Sequence, residues 1–419
     1  MTPGLWSVVL QALGSGSTLA ASALVTWRFG LAAQGEFGLL RSWTDALTSA
    51  FALGLPQGLL HLQYREGLAA STLLGWTRRY LLILTVAMLA VAAMLFRPAP
   101  LAPFASGTQA AVIALSLPFA VAHLLWRSIL LRASGVVRYA AITSLPALGV
   151  LAGVLVLCVT GRADGFEWVL LAAAVLAATA SGALAWGRAE PVAVANAASA
   201  GALSLAAAQR LRPLPARILW TISLQTWAQG LMAALQPALL LSVAGWRGAT
   251  LSQIGLVSLG LQVYLLFAVL AAYSAPMIYD RVARSDAPVR IAQALAGWRD
   301  RIGLPALCLM AATGLLGPWT MARFVPTLAP HVLPTTLLAV AGSTALLVRL
   351  LWTLLQAVGQ VRELSVQAVW RLLLACGLTA WLVPALGAPL AVPLALLGVE
   401  VLTLVRLATF LQGRTTART

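Results

Sequence analysis

Leu5-Trp6-Ser7-Val8-Val9-Leu10-Gln11 returns as Leu219-Trp220-Thr221-Ile222-Ser223-Leu224-Gln225, an LW[ST]xxLQ pattern repeated half a chain apart. Each copy opens an apolar stretch long enough to cross a bilayer. With the offset lengthened by three residues, Phe37-Gly38-Leu39 then falls against Ile254-Gly255-Leu256. Two consecutive spans that recur in the same order read as the start of two related halves. With six spans per half, both halves begin on the same side of the membrane. They are then parallel repeats about an axis along the membrane normal, an arrangement found in transporters.

Composition supports the membrane reading. Hydrophobic residues make up 61% of the 419 and charged residues 9%, against roughly 25% charged in a soluble domain. So little charge cannot cover a water-facing surface, which excludes a soluble enzyme. A β-barrel would need alternating strands of about 10 residues. The apolar stretches are twice that length and do not alternate.

The expected fold class is therefore an all-α polytopic membrane protein. About twelve transmembrane helices form two pseudo-symmetric six-helix lobes around a central cavity. The spans fall near Leu5–Thr26, Phe37–Leu60, Tyr80–Phe96, Ala110–Trp126, Tyr139–Thr160, Phe166–Trp186, Ile218–Val243, Ser252–Tyr279, Ile302–Trp319, His331–Trp352, Val366–Leu386 and Pro389–Leu411. Residues 1–190 form the first lobe, 191–216 a cytoplasmic linker and 217–419 the second lobe. Arg281–Arg301 mixes Arg and Asp with Ile291, Leu295 and Trp298, the pattern of an amphipathic helix at the cytoplasmic interface.

The formal charge of +16 does not indicate nucleic acid. Every basic residue is Arg, scattered singly or in pairs between apolar stretches, as topology determinants are. With the N-terminus inside, the cytoplasmic connections receive eighteen arginines, Arg127 among them, and the far side five. That imbalance obeys the positive-inside rule and places both termini in the cytoplasm of a bacterial inner-membrane protein. Arg349, Arg371 and Arg406 fall inside spans near cytoplasmic ends and are expected to snorkel. Cys158, Cys308 and Cys376 sit in apolar segments without CxxC spacing, as packing residues. The histidines His61, His123 and His331 read as interfacial. No hydrolase, ATPase or glycosyltransferase motif stands in a water-facing segment.

Polar residues within spans mark the candidate site. Gln11, Ser15, Thr18 and Ser22 share one face of the first helix, and their repeat equivalents are Gln225, Gln229, Met232 and Gln236. Such stripes face a wet cavity or a neighbouring helix, because amides facing lipid are costly. In the second span Arg41 and Asp45 are four residues apart, with Thr48 continuing the face. Their equivalents in the eighth span are Ser258 and Gln262. The pair either neutralises itself along the helix or presents an anion-binding guanidinium held by Asp45. Glu400, in the middle of the last span, must be protonated, paired or coordinating a cation. Glu400 and Asp45 are the candidates for coupling to a proton or sodium gradient. The residues indicate no other cofactor, no metal site and no catalytic residue.

The run Leu13–Gly67 holds a small-residue first helix and a short loop ending Gly35-Glu36-Phe37-Gly38. Ala52-Leu53-Gly54-Leu55-Pro56-Gln57-Gly58-Leu59-Leu60 follows. This resembles the N-terminal pattern of bacterial polysaccharide flippases. In the second half Ala275-Pro276-Met277-Ile278-Tyr279 resembles the end of their eighth helix. These flippases are a branch of the multidrug/oligosaccharidyl-lipid/polysaccharide exporter superfamily. The resemblance implies alternating access without ATP. It implies a cavity lined by the first, second, seventh and eighth helices, and an undecaprenyl-diphosphate-linked oligosaccharide as cargo. Trp43, Trp227 and Tyr264 could then stack on sugars, with packing as the alternative role. The implied partners are membrane lipids, the lipid-linked oligosaccharide, and glycosyltransferases or a polymerase of a polysaccharide pathway. Many relatives carry an acid where Gln236-Pro237 stand here, and its absence moves attention to Asp45 and Glu400. Two other functions remain open at this level: a drug/cation antiporter of the same superfamily, and a non-transporting subunit of a polysaccharide synthase.

Overall fold

The computed structural model describes residues 3–64, 68–96, 104, 106–198, 216–283, 312, 323, 332–357 and 361–416. Its described elements are helices: α1 (Pro3–Ala52), α2 (Leu55–Tyr64), α3 (Ala70–Leu95), α4 (Gly107–Thr160), α5 (Phe166–Ala198), α6 (Ala216–Trp246), α7 (Leu251–Ala283), α8 (Val332–Ala357), α9 (Val361–Leu386) and α10 (Ala388–Thr416). Among the described residues, nine stretches are long and apolar enough to cross a membrane, and Leu251–Phe267 is an apolar stretch of α7. In lipid every backbone amide must be satisfied within its own segment, which is why so apolar a chain folds as helices. Every expected span except Ile302–Trp319 overlaps one of these helices. That span (Ala312 aside), His331, Cys308 and most of the expected amphipathic helix lie outside the described residues.

The connections differ from expectation. The loop expected before Phe37 is helical, and α1 turns only at Gly30, where φ is 87° and ψ 176°. That region is open essentially to glycine alone, so one residue suffices to redirect the chain. The expected second span is interrupted instead at Leu53 and Gly54, both with positive φ, and resumes as α2 with Pro56 in its first turn, where a missing N–H costs nothing. The Arg127–Arg138 connection is continuous helix inside α4. The Ser106 side chain starts that helix by accepting from the Gln109 amide at 3.2 Å.

The chain forms two compact units, one of Met1–Leu24 with Leu40–Leu231, the other of Val25–Leu39 with Met232–Thr419. In the first, α4 packs on α2, α3 and α5. Its core joins Leu62, Leu73, Leu74, Leu117, Leu125 and Ile129. In the second, α8 and α10 pack together and each also meets α7 and α9, around Leu261, Tyr264, Ala341, Ala375, Leu396 and Val399. The Val25–Leu39 segment of α1 joins this unit through a close crossing with α7. A Cβ on Gly255 would meet the Leu31 carbonyl, and one on Gly35 the Leu251 carbonyl. Nearby, Gln34 Nε2 donates to Ser258 Oγ at 3.3 Å.

Candidate functional site: a cationic cavity in the first unit

The second part of α1 carries Arg41, Thr44, Asp45 and Thr48 along one face, the product of their i, i+3, i+4 and i+7 spacing. This face borders a cavity of about 170 Å³ whose other walls come from α4 (His123, Arg127, Pro146) and α5 (Ala173, Ala177). The volume far exceeds the ~10–15 Å³ needed for one water. It falls short of the ~300–1,000 Å³ of a pocket enclosing a drug-sized ligand. It admits one charged group and part of a ring.

Arg41 is held from two sides. Its Nη2 donates to Thr18 Oγ1 at 2.9 Å, while the Thr18 hydroxyl donates to the Gly14 carbonyl at 3.3 Å. Its Nε lies 4.0 Å from Asp45 Oδ2, the outer limit of an ion pair. The Arg41 side chain is 17% exposed and that of Asp45 69%, so the carboxylate spends much of its charge on its surroundings. Nη1 is buried and has no hydrogen-bond partner among the described residues. A desolvated N–H of this kind is costly unless something accepts from it, so the geometry suits an incoming anion.

His123 and Arg127 are four residues apart on α4 and so lie on one face. The Nδ1 atom of His123 is 3.2 Å from the Ala177 carbonyl. A carbonyl can only accept, so Nδ1 carries the proton and Nε2 keeps a lone pair. The ring is 3% exposed, and Nε2 has no partner among the described residues. Both residues depart from expectation: His123 is a buried wall of the cavity and not interfacial, and Arg127 stands within α4 and not in a loop. Apart from its Arg41, Asp45 and Thr48 wall, the sequence reading missed this cavity. A histidine and an arginine one turn apart on an apolar helix were its available signal.

The remaining candidates are distributed over both units. Gln11 of α1 is half-buried and accepts at its carbonyl from Ser15 Oγ at 3.2 Å. Gln229 and Gln236 are buried in α6, with Gln236 Nε2 lacking a partner among the described residues. Gln262 of α7 is half-buried, and Gln225 lies on α6 with Gln229. Ser258, the repeat equivalent of Arg41, serves helix packing by accepting from Gln34. Trp227 Nε1 donates to the Ala50 carbonyl at 3.0 Å.

In the second unit Glu400 is fully buried and paired with Arg371, and it accepts from the Tyr264 hydroxyl at 2.6 Å. Arg371 therefore does not snorkel. Its side chain is 7% exposed and its guanidinium lies 4.9 Å from the Trp352 ring centre. A carboxylate in a low-dielectric interior outweighs the pull of the interface. Arg406 does reach the edge, 45% exposed, with Nη2 donating to Glu363 Oε1 at 3.1 Å. Tyr264, committed to Glu400, has its hydroxyl turned to the unit's own core.

No family model and no curated protein sequence matches the chain. Solved structures do. The chain is similar to an inward-facing multidrug resistance MATE family transporter of the MOP superfamily (TM-score 0.69, 12% identity, 99% of this chain and 98% of that one). It is similar to the lipid II flippase MurJ in an inward closed conformation (TM-score 0.68, 10% identity, 97% and 87%). It also matches a MOP superfamily transporter from Pyrococcus furiosus Vc1 (DSM3638) whose binding pocket has reverse polarity, suggesting a different function (TM-score 0.54, 14% identity, 100% and 97%). The chain thus has the two-lobed fold of these MOP superfamily structures, with helices as its described elements. It is a multi-pass membrane protein.

Proposed function

We propose that the protein is a flippase that moves an undecaprenyl-diphosphate-linked oligosaccharide across a bacterial inner membrane by alternating access, supplying polysaccharide biosynthesis. The observation that carries this reading is the Arg41 guanidinium, braced by Thr18 and Asp45, with Nη1 lacking an acceptor among the described residues, on the wall of a cavity that Arg127 also lines. Two guanidinium groups against one carboxylate favour an anionic group, and arginine forks suit phosphate oxygens. The cavity takes a phosphate and little more, so further polar contacts to the headgroup are assigned to Gln11, Gln225 and Gln229 in the first unit, and Gln236 and Gln262 are the second unit's own candidates. Residues 1–190 and 217–419 would act as the two lobes, joined through 191–216, with both termini cytoplasmic. Asp45, exposed and loosely paired, is the first candidate for coupling to a proton or sodium gradient. Glu400, already neutralised by Arg371, is the second. Glycosyltransferases and a repeat-unit polymerase are the expected partners.

The likeness to MATE transporters favours a second reading, an ion-coupled drug/cation antiporter. The cavity's cationic balance argues for the first. The reverse polarity of the Pyrococcus furiosus protein's pocket suggests a different function there, a precedent for reading cargo from pocket charge. The deciding experiment reconstitutes the protein in liposomes with a fluorescent undecaprenyl-diphosphate oligosaccharide and, separately, with a cationic dye. Translocation of the lipid alone supports the proposal, and translocation of the dye alone replaces it with the antiporter.

A further inference from the structure

The cavity contains more than the two residues needed to hold a phosphate. Arg41 and Arg127 supply donors, and Arg41 Nη1 has no acceptor among the described residues. His123 adds the opposite chemistry. Its Nδ1–H is spent on the Ala177 carbonyl, so Nε2 can only accept, and it too is buried without a partner among the described residues. Thr44 behaves similarly: its hydroxyl proton goes to the Leu40 carbonyl at 2.7 Å, leaving oxygen lone pairs. Inorganic phosphate as the dianion has a single O–H for these two acceptors. A ligand that carries anionic oxygens beside hydroxyl donors would satisfy both sets. Beside them, Leu170, Ala173, Ala174 and Ala177 form an apolar wall, and about 170 Å³ suits a phosphate with part of one sugar ring.

We infer that His123, with Arg41 and Arg127, forms a subsite for a glycosyl phosphate, in which the guanidiniums take the phosphate and His123 Nε2 accepts from a hydroxyl of the adjoining sugar. This deepens the proposed function, on which it rests for the identity of the cargo. It makes His123 a specificity-determining residue that selects the first sugar next to the diphosphate. A neutral sugar lacks the anion and inorganic phosphate lacks the ring, so each alone uses half of the site.

The test is calorimetric titration of the purified full-length protein in nanodiscs with glucose 1-phosphate, galactose 1-phosphate, inorganic phosphate and methyl glucoside. At least one hexose 1-phosphate should bind tenfold or more tightly than inorganic phosphate, and methyl glucoside most weakly. His123→Asn keeps a donor toward Ala177 but, being shorter, places no acceptor where Nε2 stood, so it should bring the hexose phosphate down to the level of inorganic phosphate. Arg127→Gln should weaken both phosphates about equally and leave their ratio intact. Equal binding of all phosphates by the unaltered protein overturns the subsite, as does a preference that survives His123→Asn. The unaltered protein decides the matter even where a variant folds poorly. A preserved preference in a protein that flips no lipid-linked oligosaccharide would leave the subsite standing and remove the flippase reading. Flipping without any preference would do the reverse.

Discussion

Arg371 of α9 closes on Glu400 of α10 inside the second unit, the guanidinium 7% exposed and the carboxylate not at all. Tyr264 of α7 donates to the same carboxylate, so one acid ties three helices together. Removing one partner of such a pair leaves a charge stranded in the interior and costs about 3–5 kcal/mol, whereas replacing both with apolar residues is often neutral. Arg371→Leu and Glu400→Leu should each lower the thermal midpoint of the purified protein sharply. The double variant should recover most of that loss. Additive losses in tryptophan-fluorescence melts would show that the pair does not act as a unit.

The same network bears on coupling. Glu400→Gln keeps an acceptor for Tyr264 but leaves Arg371 uncompensated. If Asp45 carries the coupling, Asp45→Asn abolishes the dependence of transport on an imposed ion gradient while Glu400→Gln retains it at lower protein yield. The opposite pattern in gradient-driven liposome assays would reassign the role to Glu400.

Arg41 should be irreplaceable for transport and dispensable for insertion. A charge-assisted hydrogen bond contributes about 1.5–3 kcal/mol, which corresponds to roughly a 10- to 150-fold loss of flipping rate in Arg41→Ala. Arg41→Lys keeps the charge but not the fork and should fall between. Wild-type flipping by Arg41→Ala, at matched protein levels in the membrane, would remove this residue from the substrate site.

Two glycines separate backbone cost from packing cost. A Cβ on Gly30 would meet no atom within 4 Å, and only the φ of 87° opposes a side chain there. Gly30→Ala should therefore cost about 1–3 kcal/mol through strain alone. At Gly255 the backbone is ordinary helix, but a Cβ would press on the Leu31 carbonyl. Gly255→Ala should destabilise through crowding, by about 1–3 kcal/mol. Gly16→Ala, with open space around it, is the control and should be neutral or slightly stabilising. Melting temperatures in detergent check all three.

Span positions were legible because length and apolarity alone set them. The turn at Gly30 was not, because Phe29-Gly30-Leu31 reads like any apolar helix containing a glycine. Arg41 and Asp45 were visible as charges in an apolar run. Arg127 was hidden by its place among the arginines that mark topology, and His123 by its isolation. Arg371 was misjudged because its distance to a helix end is local, while its partner Glu400 comes from another helix. Sequence periodicity shows which face a residue occupies, but not what a neighbouring helix brings to it.

Gln34 and Ser258 are bonded across 224 positions of chain, and this has a consequence for biosynthesis. At about 5–20 residues per second, α7 leaves the ribosome on the order of ten to forty seconds after Gln34 does. During that interval the close-packing glycine face of Val25–Leu39 has been made but its partner has not. The early part of the chain must therefore wait in the translocation machinery or lipid for a late one, and a truncated nascent chain would leave that face uncovered. Quality control that senses small-residue surfaces in the bilayer would act on this segment first.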